Sequence, residues 1–584
     1  MAEGKDFNDA LDEIFLGENG EYKKSYEEGF KAGTAAGNVE GYHLGYHRGA
    51  ELGKELGHYL GIVTYHINLN DTSETKYSDK ILGQLTKVRD LITAFPEDNS
   101  EAHDILGMAE TIRAQYKKAC ALLKISSKLQ HKIDSLRSYL TPLLPLANCH
   151  MVEFITQNHW ETLVPEQLRR KLDGWDLNYA VEKFWESTSC DTRKWITTAK
   201  EHCLTINNEY CLSTDQLRDR VTSWGGAIQP EIKVTEFMTS KKSYEVSKMS
   251  ALVASLYGAT SSTCCVEAGG GRGHLLVALC LGYNIPSLTV DCDDSKVRAA
   301  AARITIIQKQ WHAIAKRIEA GTEENLTLQN SDTNLHRSDI KLHRFATAFI
   351  TKDTDLAGVA AEKFPELSDI KLLLTGLHTC GDLGPASLRM FASRPSIGGV
   401  FNVPCCYHLL SEGDGGHVGF PMSQYLAGYK LGRNARMLAA QSIDRVVGER
   451  QLPAKSLLYR ALLQVLIKTH LPKESISEGR LKRLASKCDN FQDYFKMADA
   501  MLDLGLFDRL PQSCLKEIYS EMDCHWRKLV LFYLLRLCLA QVIESVILLD
   551  RLLFLLENDF DKVFLVKLFD PVLSPRCHAI VAVR

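Results

Sequence analysis

An acid and three glycines occupy alternate positions in the stretch "VEAGGGRGHLL". Glu267 is followed by Gly269, Gly271 and Gly273, and a short strand-like run ends just before them at Val266. A strand, a glycine loop and a helix in this order bring backbone N–H groups close to a ligand, because glycine has no side chain to obstruct the approach. The sequence therefore predicts a cofactor-binding loop.

The spacing of these residues narrows the choice of ligand. A dinucleotide loop has the pattern G-x-G-x-x-G, which from Gly269 would place its third glycine where His274 stands. The acid-x-G-x-G-x-G pattern is that of class I S-adenosylmethionine-dependent methyltransferases. Asp291 ends the next apolar run, "SLTVD", where an acid can bind the ribose hydroxyls. We expect S-adenosyl-L-methionine as the cofactor; a structural glycine turn is the alternative.

Two polar segments, "HTCGD" and "PCCYH", follow later apolar runs. In an open α/β sheet, ligands bind outside the carboxyl ends of the strands, so both segments should face the crevice of the glycine loop. They supply candidates for acceptor positioning or general-base catalysis, while loops that only shape the pocket are the alternative. The candidate catalytic residues are His378, Cys380, Asp382 and His408.

The same two segments contain residue types that bind zinc. Their order, H-x-C followed by C-C-x-H, is not that of a zinc finger, and adjacent ligands at Cys405 and Cys406 would be strained. The sequence therefore predicts no metal site, and metal binding by these loops is left as the alternative.

A second pattern lies nearer the N-terminus, where glycine recurs at every fourth position between helix-forming residues. Each interior glycine costs a helix about 0.5–1 kcal/mol relative to alanine, so close packing against another helix must offset the loss. A period of four follows one row of the helix surface and predicts a groove for a partner helix; a flexible linker is the alternative. The row consists of Gly29, Gly33, Gly37, Gly41, Gly45, Gly49, Gly53, Gly57 and Gly61.

The sequence around this row resembles the deca-GX3 (Yae/Lto-type) adaptor family over about residues 7–127. The resemblance includes "DFNDALDEIF" before the glycines and "ITAFPEDNSEAHDILGMAETIRAQYKKACALL" after them. It implies a second deca-GX3 protein bound through residues 29–61, and an adaptor role between the cytosolic iron–sulphur targeting machinery and the ribosome-recycling ABC ATPase. In such complexes a free C-terminal tail can be the docking signal, whereas this chain continues into another domain.

Residues from about 131 to 584 resemble the methyltransferase-like protein 25 group. The motifs that carry the resemblance include "MTSKKSYEVSKM", "TGLHTCGDLG", "GFPMSQYL" and "LFDPVLSPRCHAIVAVR". It implies S-adenosylmethionine bound at Glu267, the three glycines and Asp291, with His378, Cys380 and Asp382 facing the transferred methyl. A tRNA 2′-O-methyltransferase of the wider clan has a similar HxCG loop, which slightly favours RNA over protein as the acceptor. The usual first acid of the family is aspartate, and Glu267 reaches one methylene further.

Alternating strands and helices must position these residues. The predicted fold is α/β, a Rossmann-like class I S-adenosylmethionine-dependent methyltransferase whose seven-stranded sheet ends in a C-terminal antiparallel hairpin. Helical insertions interrupt it, and an all-α glycine-ladder domain precedes it. The predicted divisions are an adaptor domain at 1–130, a helical part at 131–245, the cofactor-binding core at 246–422, a helical insertion at 423–557 and the closing hairpin at 558–584.

The predicted helical insertion contains charged residues whose positions matter. Its most apolar stretch, residues 529–550, is interrupted by Glu544 and Asp550 among others, so a buried core helix is predicted instead of a membrane span. Arg433 and Arg436 could line an acceptor groove, although solvated helix faces are the more common outcome for such charges.

Length, charge and cysteine content limit the classes of protein to which this chain can belong. A chain of 584 residues should form several domains, and its formal net charge of −3 provides no overall basic surface for nucleic acid. Its 17 cysteines are scattered, and the acidic start "MAEGKDFNDALDEIF" is unlike a signal peptide. These features predict a reducing compartment, the cytoplasm, with the nucleus as an alternative.

The sequence as a whole predicts a methyltransferase of undetermined acceptor that carries an adaptor-like helical module. One alternative is a non-catalytic scaffold in iron–sulphur cluster delivery whose methyltransferase domain is degenerate. Another is a merger of two neighbouring genes, by read-through or in the gene model.

Overall fold

The computed structural model forms two units, Met1–His131 and Lys132–Arg584. Of the glycine row, Gly37 lies outside the described residues, and only the backbone is described at Gly41. The structure describes residues 22–33, 39–72, 77, 79–96, 104–186, 190–207, 209–320, 342–413, 418–448, 452–472, 481, 484 and 487–584.

The first unit is helical. Residues 22–33 are helical, and the helices Val39–Thr72, Asp79–Thr93 and Ile105–Leu140 follow, the last of which includes the division at His131. Their apolar faces form a core that includes Leu56, Val63, Ile81, Leu85, Val88, Ile92, Ile112, Ala119 and Leu123.

Polar and aromatic contacts add to this helical core. Tyr59 stacks on Tyr116 with ring centroids 3.8 Å apart. The Arg113 guanidinium donates hydrogen bonds of 2.7 and 2.6 Å to the two carboxylate oxygens of Glu55, and the Tyr59 hydroxyl donates to the same carboxylate. These pairs fix the register of two helices that are distant in sequence.

The glycine row lies mostly on the helix Val39–Thr72. The described residues do not include 34–38, so the predicted single helix through all nine glycines is described only as two helical segments. Gly29 packs against the ring of Tyr46. A Cβ added at the later glycines would meet no described atom within 4 Å, so this face of the helix is open; they are Gly45, Gly49, Gly53, Gly57 and Gly61.

The second unit is built around one eight-stranded sheet in the order β1-β7-β8-β6-β5-β2-β3-β4. Only β8 is antiparallel to its neighbours, β6 and β7. The strands are β1 (Cys211–Ser213), β2 (Cys264–Ala268), β3 (Ser287–Asp291), β4 (His343–Thr347), β5 (Leu372–Cys380), β6 (Ile397–Cys405), β7 (Lys562–Lys567) and β8 (His578–Val583).

The parallel-dominated α/β sheet agrees with the predicted fold class, but the predicted count of seven strands is wrong. The additional strand is β1, which pairs parallel with β7 at the sheet edge. Three residues are too few to produce a recognisable alternation, and the sequence around them reads as helical. The antiparallel pairing of β7 with β8 agrees with the strand–turn–strand pattern at residues 562–584.

Helices cover the sheet and fill the segments around it. The α-helices of the second unit are Leu144–Asn148, His159–Leu163, Glu166–Leu172, Leu177–Glu186, Cys190–His202, Thr214–Ser223, Ser240–Ala259, His274–Val277, Asp294–Ala320, Leu356–Lys363, Leu383–Ser393, Arg433–Leu438, Ile443–Gly448, Ser456–His470, Phe491–Leu502, Gln512–Leu537 and Ala540–Glu557. Short 3₁₀ turns span Thr141–Leu143, Met151–Glu153 and Tyr407–Leu409, and a π-helical turn spans Ala278–Gly282.

The most apolar stretch of the chain is buried, but it is not one helix. The helices Gln512–Leu537 and Ala540–Glu557 are interrupted at Cys538 and Leu539, which corrects the prediction of a single helix over 529–550. By length and composition Ser513–Glu557 could cross a membrane, and 89% of its most apolar window is buried inside the protein. The buried Asp550 has partners, since its carboxylate accepts hydrogen bonds from the backbone N–H groups of Met422 and Ser423 at 2.8 and 2.9 Å.

The central strand β5 should dominate the stability of the second unit, because it is buried on both faces. Leu374→Ala removes a fully buried side chain and should lower the free energy of unfolding by about 2–5 kcal/mol. The measurement is the urea unfolding midpoint followed by tryptophan fluorescence. The matched control is Leu573→Ala, at a side chain that is 53% exposed; equal midpoints for the two variants would contradict the assignment of the core.

Candidate active site

The order of the strands places a crevice between β2 and β5. From β2 the chain continues to β3 and β4 on one side, whereas β5 and β6 extend the sheet on the other. The loops that follow β2 and β5 therefore leave in opposite directions and open a gap at the carboxyl edge of the sheet, which is the usual ligand site in such folds.

The glycine loop follows β2 with backbone angles that favour glycine. Gly269, Gly271 and Gly273 have φ values of 68°, 55° and 66°, in the left-handed region. A Cβ at Gly269 would lie 2.6 Å from a side-chain carbon of Leu383, and one at Gly273 would lie 3.1 Å from Ala300. At Gly271 the nearest described atom would be a carboxylate oxygen of Asp291 at 3.9 Å, so this glycine presents bare backbone to the crevice.

Asp291 lies at the carboxyl end of β3, as its position after the apolar run predicts. One carboxylate oxygen accepts a hydrogen bond from the backbone N–H of Gly271 at 2.9 Å, and the other accepts from the N–H of Asp293 at 2.9 Å. Each carboxylate oxygen has a second lone pair, so the group can still accept hydrogen bonds from a ligand hydroxyl. The structure thus brings together the predicted acid and the predicted loop.

Glu267 is the buried member of the predicted cofactor set. Its side chain is in β2 and accepts a hydrogen bond of 3.1 Å from the hydroxyl of Thr289. Burial raises the pKa of Glu267 to about 7, because the charged form loses its water. The glycine loop packs directly on this carboxyl, since a Cβ at Gly270 would lie 2.6 Å from its oxygen.

His378 lies on β5 itself and not in the loop that the sequence predicts. The register of β5 against β6 shifts between Leu377 and Thr379, so His378 forms a bulge, with φ at 70°. A bulge turns a side chain away from its normal face, and such left-handed non-glycine residues often occur at functional sites. Its Nε2 lies 2.9 Å from the carboxylate of Glu245.

Glu245 is a functional candidate that the sequence analysis missed. It is fully buried in the helix Ser240–Ala259, and its carboxylate also accepts hydrogen bonds from Lys242 at 2.8 Å and from the hydroxyl of Ser574 at 2.7 Å. Burial alone would raise the pKa of Glu245, but the hydrogen bonds from His378 and Lys242 outweigh it and hold the pKa well below its usual value. A permanently ionised carboxylate fixes the orientation of the imidazole. The signal that could have identified Glu245 is the presence of an acidic residue in a helix whose other residues are mostly buried.

Cys380 ends β5 and contacts two further cysteines. Its sulfur lies 3.1 Å from that of Cys405 and 3.4 Å from that of Cys406. The Cys405 thiol, by donating a hydrogen bond, lowers the pKa of Cys380 to about 6, and His378 and Arg576 act in the same direction. The sequence analysis placed these three thiols at one crevice, with metal binding as the alternative, but it did not predict their direct contact.

Asp382 and His408 lie in the segments that follow β5 and β6. Asp382 is exposed and accepts a hydrogen bond of 2.8 Å from the backbone N–H of Ser411, which ties the end of β5 to the segment after β6. His408 is half-buried, and its Nδ1 is buried without a hydrogen-bond partner among the described residues. Burial lowers the pKa of His408, and the nearby Arg433, Arg436 and Arg576 lower it further.

The interpretation of Arg436 as part of an acceptor groove or a solvated helix face is wrong. Its side chain is buried and donates a hydrogen bond of 3.0 Å to the backbone carbonyl of Tyr407. It therefore helps to hold the "PCCYH" segment in place. Tyr407 is fully buried and donates a hydrogen bond of 2.8 Å to Glu544. Arg433, in contrast, is exposed.

Comparison with known proteins identifies a methyltransferase domain in this part of the chain. Residues 241–413 match the model of a methyltransferase domain. Two similar proteins, from Homo sapiens and Mus musculus, are each described as "Probable methyltransferase-like protein 25". The human protein is 29% identical, with 78% of this chain and 97% of the human protein covered; the mouse protein is 28% identical, with 78% and 96% covered.

The raised pKa of Glu267 predicts a pH dependence of stability. Because the protonated acid is favoured in the fold, its contribution is complete below the ordinary value of 4.5 and is lost as the pH rises through about 7. Glu267→Gln stays neutral and should remove a loss on the order of 3 kcal/mol between these pH values. Urea unfolding of both proteins at about pH 5 and about pH 8 measures it. The exposed Glu517→Gln is the control, and an unchanged pH dependence in Glu267→Gln would contradict the assignment.

Proposed function

The chain is a methyltransferase, and we propose that it transfers the methyl group of S-adenosylmethionine to RNA. The observation that supports this donor is the bare backbone at Gly271 beside the Asp291 carboxylate, at the point where the strand order reverses. A loop without side chains admits the methionine part of the donor, and the acid at the end of the next strand can bind the ribose hydroxyls.

The donor supplies an electrophilic methyl group bound to a sulfonium. The protein then has two tasks, to hold the acceptor in line and to remove its proton. His378 is suited to the second task. When its Nε2–H is donated to the Glu245 carboxylate, the lone pair on Nδ1 is available to accept the proton of an acceptor hydroxyl or amine. Glu245 is then a positioning residue that holds the imidazole in this tautomer.

The proposal of RNA rests on the HxCG loop shared with a tRNA methyltransferase and on positive charge near the crevice. Two histidines report this charge through their pKa values. The pKa of His408 is lowered by burial and by the nearby Arg433 and Arg576. The pKa of His274 is lowered to about 4, first by burial and then by Arg303, Lys242 and Arg272. Guanidinium and ammonium groups around a cleft attract phosphate backbones despite a neutral overall charge.

The glycine loop yields a direct test of donor binding. Isothermal titration of the whole chain with S-adenosylmethionine should give micromolar binding, and Gly271→Arg should abolish it by filling the crevice. Gly428→Arg is the matched control, because Gly428 also has a positive φ and open space around it. Equal heats for the two variants, or no heat with the wild type, would contradict the proposed site and favour a non-catalytic scaffold.

The acceptor is identified by methyl transfer. Extract fractions incubated with the wild-type chain and donor carrying a tritiated methyl group are divided between nuclease and protease treatment. Label released by nuclease supports RNA, and label released only by protease overturns it in favour of a protein acceptor. Gly271→Arg supplies the background.

We also propose a partner helix for the open face of the first unit, namely a second deca-GX3 protein. The observation that favours it is that glycine costs a helix stability and that no described residue occupies the space at these glycines. A partner backbone approaching this row would offset the cost, as in other small-residue contacts. Through such a pair the chain would take part in iron–sulphur protein maturation in the cytoplasm, next to the ribosome-recycling ATPase.

Filling the glycine groove should abolish binding of the partner protein without lowering the stability of the helix. Gly53→Leu should abolish co-purification with a co-expressed deca-GX3 protein while stabilising the helix by up to about 1 kcal/mol. Gly83→Leu is the control, since Gly83 is exposed, has open space and lies on the helix Asp79–Thr93, off the row. Retained co-purification in Gly53→Leu would exclude this surface.

A further inference from the structure

Three thiols meet at the carboxyl edge of the sheet. Cys380 and Cys405 are direct neighbours in the parallel register of β5 and β6, and Cys406 is the next residue along the chain. The three sulfur atoms all lie within 4.8 Å of one another. Sulfur ligands of a tetrahedral zinc lie about 3.8 Å apart, since each Zn–S bond is about 2.3 Å long. The observed separations therefore require only small movements to accept an ion.

The backbone at Cys406 explains how two adjacent cysteines can face a third. In a regular strand, adjacent side chains point to opposite faces. Cys406 instead has φ at 49°, in the left-handed region, which turns its side chain back towards Cys380. This conformation costs a non-glycine residue about 1 kcal/mol or more and persists only where the surrounding structure enforces it.

Two other residues enforce this turn. Gly381, at φ 53°, admits the backbone of Leu409, because a Cβ there would lie 2.9 Å from the Leu409 carbonyl oxygen. The bulge at His378 shifts the register so that Cys380 aligns with Cys405. Three unusual backbone positions thus converge on the thiols, which is typical of a functional site.

A buried positive charge near the thiols favours an anionic group at this place. Arg551 is fully buried, and none of its guanidinium nitrogens has a hydrogen-bond partner among the described residues. It lies over the ring of Tyr407, and Tyr407, Asp550, Asp382 and Cys405 lie close enough to favour its charged form. Burial without hydrogen-bond partners is unfavourable for a cation, so negative charge added nearby by an ionised cluster would reduce this cost.

We propose that Cys380, Cys405 and Cys406 form a three-thiolate site for one Zn²⁺ ion. Thiolates select zinc over magnesium and calcium, which prefer oxygen ligands. On binding, each thiol gives up its proton to the solvent and forms one Zn–S bond, so the cluster carries one net negative charge next to Arg551. Cys380 is exposed, so water or an acceptor atom can reach the fourth position of an ion bound to the three sulfurs. A site with three protein ligands and one open position is the pattern of reactive zinc centres.

The test is the metal content of the whole chain, purified under reducing conditions. Mass spectrometry of the native protein and elemental analysis should give about one zinc per chain in the wild type and almost none in Cys380→Ser or Cys406→Ser. Cys524→Ser is the matched control, because Cys524 is exposed on the helix Gln512–Leu537 and lies outside the cluster. It should keep the wild-type zinc content.

A second measurement does not depend on the variants folding. Titration of the metal-free wild type with Co²⁺ should produce a sulfur-to-cobalt charge-transfer band whose intensity corresponds to three thiolates. No zinc and no such band in the wild type would overturn the proposal, as would equal zinc contents in Cys380→Ser and Cys524→Ser. Peroxide-driven formation of a Cys380–Cys405 disulfide in place of metal uptake would overturn it too. None of these readouts requires methyl transfer, so this proposal and the proposed function can fail separately.

Discussion

Backbone hydrogen bonding between β5 and its neighbours β2 and β6 aligns the three chain segments on which the candidate active site depends. These pairs align the glycine loop, His378 and the "PCCYH" segment at one edge, because parallel strands end on the same side of a sheet. Near the site, the pairing of β5 with β6 is irregular at the His378 bulge. Without it, the imidazole and the Cys380 thiol would each move by one position relative to β6, and neither the Glu245 contact nor the thiol cluster would form.

The features that the sequence could predict are those encoded over short distances. The spacing of Glu267, Gly269, Gly271 and Gly273 determines a loop geometry within a single turn, and the contact of Asp291 with Gly271 follows from two consecutive parallel strands. The general α/β architecture was predictable for the same reason. Polar side chains after apolar runs indicate the carboxyl edge of a parallel sheet whatever the details of the topology.

The features that escaped prediction depend on contacts between distant residues. The meeting of Cys380 with Cys405 depends on strand register, and that of Cys406 on a left-handed backbone that no local pattern demands. Glu245 and Arg436 resemble ordinary helical charges until the packing shows them buried. The eighth strand was missed because three residues carry no alternation, and the break at Cys538 was missed because both flanking helices are equally apolar. Rules for local patterns miss the thiol cluster and the two buried charges, since their decisive partners lie tens to hundreds of residues away.

The position of β8 has a consequence for the biosynthesis of the protein. Residues 578–583 lie between β6 and β7, and Ser574, just before them, donates a hydrogen bond to Glu245 from a point 329 residues further along the chain. While this segment is still inside the ribosome, β6 has an unpaired edge and the carboxylate behind His378 lacks one of its donors. The nascent sheet therefore remains incomplete, and exposed to chaperones, until translation of the domain is almost finished.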